Sequence, residues 1–237
     1  MSATRHYRDS DLDRLKRIRA LSWLSASELA SLVDALRLSS FRPHELILRD
    51  AALASEAHIL LSGIARITCL KAGNERMTVA MLVPGLIPEL PSLPISHSSF
   101  QCEAYNNCRV GSLGWDDFER ITANAAESAF KKFHENDLKQ WYRLLLRTSS
   151  FLNLGLGERV AITLLELSSD FGVEESRGTL LTVSLSHKDI ADLVGASRPR
   201  VTEHLAELER ERFVIRQGRQ FVVEVNKLSE SIARYVT

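Results

Sequence analysis

Arg198 and Arg200 stand two residues apart just after Ser197, and Glu203 follows three positions later. A guanidinium presents a fixed fork of donors that matches the O6 and N7 acceptors of guanine, while a carboxylate accepts from the N4 amine of cytosine. Side chains suited to phosphate oxygens lie around them: Ser197 and Thr202 in the same stretch, His187 and Lys188 upstream, Gln217 and Arg219 downstream. These residue types read as a surface for duplex nucleic acid, provided that the chain presents them on one side. Positive and negative side chains balance, with 30 Lys and Arg against 30 Asp and Glu. Attraction to a polyanion must therefore come from local placement of charge. Arg198 and Arg200 lie at one end of the stretch and Glu207, Glu209 and Glu211 at the other.

The elements that must position these groups follow from the local pattern. Ser186 to Val194 fits a short amphipathic helix with Ile190, Leu193 and Val194 inward. Gly195 sits where a tight turn between helices needs a residue that tolerates positive φ. Ser197 is placed as an N-cap and Pro199 falls in the first turn, where a missing N–H costs nothing. A second helix runs from Arg200 to Glu209, with Val201, Leu205 and Leu208 inward. Phe213 to Val223 then reads as two apolar strands around a Gln217-Gly218 turn, a hairpin. Helix, glycine turn, capped helix and hairpin in that order define a winged helix-turn-helix, whose second helix enters the major groove by its N-terminal part. A neutral winged helix also suits protein contact. Dependence on salt, and on Arg198 and Arg200, separates the two uses.

The rest of the chain is built differently. Residues 12–37 read as helical, with Leu12, Leu15, Ile18 and Leu21 recurring and a capping box from Ser25 to Glu28 starting a second helix that ends near Leu36. From Phe41 to about Leu113 short apolar runs alternate with turn signals, the pattern of an all-β barrel or roll. Trp115 opens a long helical stretch without Gly or Pro, on which Phe130, Phe133, Trp141, Leu144 and Leu145 share a side, as a dimerisation helix would require. Gly155 and Gly157 read as a hinge. The overall expectation is an α+β chain in three parts: 1–114, a β-roll with N-terminal helices; 115–150, the long helix; and 151–237, the winged helix-turn-helix.

Several functions are excluded or narrowed. The sequence holds no Gly-rich phosphate loop, HExxH, GxSxG or DxDxDG signature, and its seven histidines (His6, His44, His58, His97, His134, His187, His204) lack ligand spacing. We therefore read it as no enzyme. No apolar run reaches bilayer length and the first residues are polar, so the expected setting is the cytoplasm, without a membrane partner. Cys69, Cys102 and Cys108 form no CxxC pair, which leaves no cysteine-only metal site.

Asp189 to Leu205, Phe41-Arg-Pro43, Ile59 to Arg66 and Leu82-Val-Pro-Gly85 together resemble the CRP/FNR superfamily of regulators, in that family's order and spacing. The resemblance implies a cyclic-nucleotide-binding-like β jelly roll as sensor, a long dimerisation helix and a C-terminal winged helix-turn-helix. It further implies a homodimer on a palindromic promoter site in double-stranded DNA, acting on RNA polymerase, with a small-molecule effector. By position Arg198, Pro199 and Glu203 occupy the base-reading places, where the family often has Arg, Glu and Arg. The operator is therefore expected to differ from the common family half-site, with Arg200 taking over some readout. An effector pocket would lie around Glu89, His97, Ser98 and Ser99. No arginine occurs from 77 through 108 to pair with a cyclic-nucleotide phosphate, which argues against cyclic AMP. No cysteine precedes Cys69, which excludes the family's four-cysteine iron–sulfur cluster. The effector's identity stays open. Haem, through His97, Cys102 or Cys69, and a redox switch at Cys102 or Cys108 are alternatives.

Overall fold

A computed structural model describes residues 2–49, 56–70, 76–88, 99–123, 149 and 152–233. The chain divides into two compact units, Met1–Arg143 and Leu144–Thr237. In the first, α1 (Ser2–Arg17), a 3₁₀ turn (Arg19–Leu21) and α2 (Ala26–Ala35) precede eight strands: β1 (Arg37–Phe41), β2 (Leu46–Arg49), β3 (Glu56–Ser62), β4 (Ala65–Leu70), β5 (Arg76–Leu82), β6 (Gly85–Leu86), β7 (Ser99–Ala104) and β8 (Cys108–Gly114). Helix α3 (Trp115–Thr122) follows. The strands form two antiparallel sheets, β1-β8-β3-β6 and β2-β7-β4-β5. Interleaving of early and late strands in both sheets is the double-sheet roll expected from the short apolar runs.

Two apolar cores share the first sheet. Leu60, Ile67, Leu82, Cys102, Ala104 and Val110 fill one cluster with residues from both sheets. On the other side of the first sheet, Ala57, Ile59 and Leu61 of β3 and Leu113 of β8 cluster with Leu15, Ile18, Leu21, Leu29, Leu32 and Phe118 of the helices. A strand buried on both sides needs no polar alternation, which explains the unbroken Ile59-Leu60-Leu61 run.

The capping box forms as read: Ser25 Oγ accepts from the Glu28 N–H, and the Glu28 carboxylate accepts from the Ser25 N–H at 2.7 Å. The helical reading of 12–37 needs two corrections. A 3₁₀ turn interrupts it, and Arg37 is the first residue of β1, paired with Ser112. Leu36 leaves helical geometry (ψ 129°), and its side chain occupies the space a Cβ on Gly111 would need. Of the proposed long helix, 115–150, only α3, Ala123 and Ser149 fall within the described residues. The apolar positions from Phe130 to Leu145 lie outside them.

Asp11 ties α1 to the roll. Its buried carboxylate accepts from Arg109 Nε at 2.8 Å and Nη2 at 2.7 Å, and from Arg14 Nη1 at 2.6 Å. Burial alone pushes this carboxyl up, but the bonds from Arg109 and Arg14 outweigh it and hold it below the usual aspartate value. Removing one partner of a buried pair strands the other, so Asp11→Ala should lower stability by about 3 kcal/mol in chemical denaturation. Because the folded carboxyl titrates below its unfolded value, this contribution is present above the ordinary aspartate range. It is lost as pH falls through the lowered value.

Candidate nucleic-acid interface

The second unit opens with α4 (Leu156–Phe171), then β9 (Gly172–Glu175), β10 (Gly178–Leu181), α5 (His187–Val194), α6 (Arg198–Arg210), β11 (Val214–Gln217), β12 (Gln220–Val223) and α7 (Val225–Ala233). The hairpin extends into a four-stranded antiparallel sheet, β11-β12-β10-β9. Sequence reasoning missed α4, β9, β10 and α7. The signals were present: Val160, Leu164, Leu167 and Phe171 recur at helical spacing and are buried, and Ser176-Arg177-Gly178 is a turn, with Gly178 at φ 127°.

Gly155 and Gly157 belong to the start of α4. Gly155 is the N-cap of α4, its N–H bonded to the Glu158 carboxylate at 2.6 Å. Gly157 lies inside the helix, where a Cβ would sit 3.2 Å from His204 Nδ1. Glycine there lets α4 and α6 approach closely.

The helix-turn-helix is built as the residues dictate. Ser186 and Asp189 form a capping box on α5, with the Ser186 N–H donating to Asp189 Oδ2 at 2.8 Å. Ile190, Leu193 and Val194 are buried, and Gly195 takes the left-handed conformation (φ 62°, ψ 44°) that ends the helix. Ser197 is the N-cap of α6, but its hydroxyl makes no capping bond. Pro199, in the first turn, has no N–H to offer it. Val201 and Leu205 are buried, whereas Leu208 is only partly so. Gln217 pairs with Gln220, leaving a two-residue loop of Gly218 and Arg219, with Gly218 at φ 61°.

Ser197, Arg198, Pro199, Arg200, Thr202 and Glu203 are all exposed on the first turns of α6, and Arg219 is exposed at the hairpin tip, with Gln217 partly so. Among the described residues Arg198, Arg200 and Glu203 have no side-chain hydrogen bond or ion pair. Lys188 pairs with Asp192 one turn along α5. His187 and Thr202 are bonded to each other, His187 Nδ1 lying 2.8 Å from Thr202 Oγ1. The remaining ring nitrogen of His187 meets Arg216 Nη1. Arg216, on β11, was not singled out by the sequence reading. Its guanidinium lies 4.9 Å from the centre of the Phe221 ring, across the hairpin.

The expected effector residues Glu89, His97 and Ser98 lie outside the described residues, and Ser99 is described only as the first residue of β7. The arginines nearest that segment are committed to buried carboxylates: Arg76 bonds Glu103 at 3.0 Å and Arg109 bonds Asp11. Arg66 also bonds Glu103, at 3.1 Å. Cys102 is enclosed in the roll's core, and burial, with Cys108 and Glu103 nearby, pushes its thiol up to about 12. Cys108 is raised by burial too, although its thiol donates to the Ile64 carbonyl at 3.1 Å. Cys69 is partly exposed on β4. No metal-ligand cluster of His, Cys, Asp or Glu occurs among the described residues. None of their helices is long and apolar enough to cross a membrane.

Residues 158–230 match the Crp-like helix-turn-helix domain family. The chain is similar, at 24% identity over 93% of its length and 97% of the relative's, to the CRP-like cAMP-activated global transcriptional regulator of Mycobacterium tuberculosis. Its fold resembles that of a CooA mutant from Carboxydothermus hydrogenoformans (TM-score 0.68, 19% identity, 84% and 88% of the two chains covered). It also resembles FixK2 from Bradyrhizobium japonicum (TM-score 0.67, 21% identity, 82% and 96% covered). Double-sheet roll, winged helix and these matches agree: residues 158–230 form a Crp-like helix-turn-helix domain, and the chain as a whole is similar to a CRP-like transcriptional regulator in sequence and to solved CRP/FNR-type structures in fold.

Because the thiolate is the reactive form, the two buried cysteines should resist alkylation. Iodoacetamide on the native protein near neutral pH should modify Cys69 first and reach Cys102 only after denaturant is added, as peptide mass spectrometry would show.

Proposed function

We propose that the protein acts as a homodimer on a palindromic promoter site, reading bases with the start of α6. The observation that carries this reading is the pair Arg198 and Arg200, exposed and uncommitted at the N-terminal end of a helix whose buried side is fixed by Val201 and Leu205. Their guanidinium forks are free for guanine, and Glu203, one turn on, is free for cytosine. Pro199 supplies no side-chain hydrogen bond, so the half-site departs from the common family one. Ser197, Lys188, Gln217 and Arg219 bond phosphate oxygens and set the register. The long stretch 115–150, which in sequence separates a sensor part, 1–114, from the DNA-binding part, 151–237, supplies the contact between the two protomers. Two half-sites then make up for a neutral chain. RNA polymerase is the downstream partner, and the cytoplasm is the setting.

The mycobacterial relative is cAMP-activated by name. For the present chain we infer an effector other than cyclic AMP, because 77–108 holds no arginine and its flanking arginines are spent on Glu103 and Asp11. Burial, which raises the thiols of Cys102 and Cys108 above the ordinary value, also speaks against a redox trigger at those positions.

Selection of duplexes from a random pool, followed by affinity measurement at several salt concentrations, tests the reading. Arg200→Ala should cost about 1–3 kcal/mol and relax preference at one position per half-site. An equal loss on unrelated DNA would show that Arg200 meets only phosphate. Trp141→Asp should give monomers by sedimentation and abolish tight operator binding. A monomer that still binds tightly refutes the dimer.

A further inference from the structure

The bonds around His187 run in one direction. Thr202 Oγ1 donates its single hydrogen to the Arg198 carbonyl at 2.9 Å, so it must accept from His187 at Nδ1. His187 is therefore protonated on Nδ1. The neutral ring then offers Nε2 as an acceptor, and Arg216, which can only donate, meets it there. The guanidinium is aimed by two further contacts, Arg216 Nε to the Gly218 carbonyl at 3.0 Å and the Phe221 ring beneath it. One chain of donors thus passes from β11 through the first residue of α5 to Arg198, the first residue of α6.

We propose, resting on the DNA-binding reading above, that Arg216, His187 and Thr202 are positioning residues that lock the wing against the start of α6. The lock holds only while His187 is neutral, so that sequence-specific binding weakens on acidification. Protonation would place an Nε2–H against the Arg216 donor and set two cations face to face. The charged groups facing the ring are Arg216 from β11 and Arg198 and Glu209 from α6. Lys188 and Asp189, on α5 itself, are engaged with Asp192 and Ser186. Burial, then Arg216 and Arg198, favour the neutral ring against the opposing pull of Glu209 and lower its titration below the ordinary value of 6.5. The locked form binds fewer protons than the released one. It is therefore complete above the ordinary histidine value and lost as pH falls below that value toward the lower one.

The test uses the full chain with ¹⁵N-labelled histidine. Ring-nitrogen correlation spectra should show an Nδ1–H tautomer whose signals vanish in His187→Gln. An Nε2–H tautomer for His187 overturns the inference whether or not DNA binds. Affinity is then followed from about pH 8 to about pH 5.5, using a duplex enriched at the higher pH and a shuffled duplex of equal length. Affinity for the enriched duplex should fall, by at most about tenfold per pH unit for a single proton, while that for the shuffled duplex does not fall. His187→Gln, which keeps an acceptor and a donor on one amide but cannot titrate, should flatten the profile. Arg216→Ala should give at every pH the weakened binding that the native protein shows in acid. A flat native profile overturns the proposal, as does a rise for both duplexes, which would make His187 a cation for phosphate. If no duplex is enriched, the DNA-binding reading fails and the ring spectrum alone decides the lock.

Discussion

Helix α6 has few buried anchors of its own. Of the thirteen residues from Arg198 to Arg210, only Val201 and Leu205 are buried. Each contributes about 1.5–3 kcal/mol of apolar burial, and both lie on one stripe. Two neighbouring anchors fix which side of a helix faces inward but restrain its tilt and its sliding weakly. The rest of the unit supplies what they lack. Gly195 makes the turn into the helix, Gly157 lets α4 come close to His204, and Thr202 bonds His187 of α5, whose other ring nitrogen meets Arg216 of β11. The proposed presentation of Arg198 and Arg200 to base edges would depend on these secondary restraints, because a bidentate contact tolerates little misplacement.

The first unit is built on the opposite principle. Its first sheet is covered by apolar side chains on both sides, so β3 is committed in register and in face. Charge inside it is committed as well: Asp11 and Glu103 each gather two arginines. Buried pairs of this kind are costly to break singly. They hold Arg66, Arg76 and Arg109 in ion pairs within this unit. The nearby thiols are likewise sealed in, and their chemistry is suppressed by burial.

What could be read from the chain depended on how local the cause was. The helix-turn-helix was legible because each piece answers to its own requirement: Gly195 to positive φ, Pro199 to the first turn, and Ile190, Leu193, Val201 and Leu205 to helical spacing. The roll was legible as a class from its turn signals, while its strand order was not, because pairing such as β1 with β8 joins residues about seventy positions apart. Arg37 shows the same limit: the helix end near Leu36 could be read locally, but the pairing of Arg37 with Ser112 could not. His187 and Thr202 were read as separate phosphate ligands from their types alone. That they bond each other, through a ring whose second nitrogen meets Arg216, follows from a packing of three elements that no spacing along the sequence displays.

Strand β9 closes the winged-helix sheet on one side and has a single neighbour, β10. Its outward backbone groups are unpaired within that sheet, and Val173 stands half exposed beside them. Such a border is a template on which another chain could add a strand. The remaining side chains make that addition unfavourable: Glu174 and Glu175 bring adjacent negative charge to a strand only four residues long, and two copies meeting border to border would oppose like charges. Acidic residues that bring the chain to electrical neutrality, at first sight a handicap for binding a polyanion, thus also make a bare strand border a poor template for a second copy.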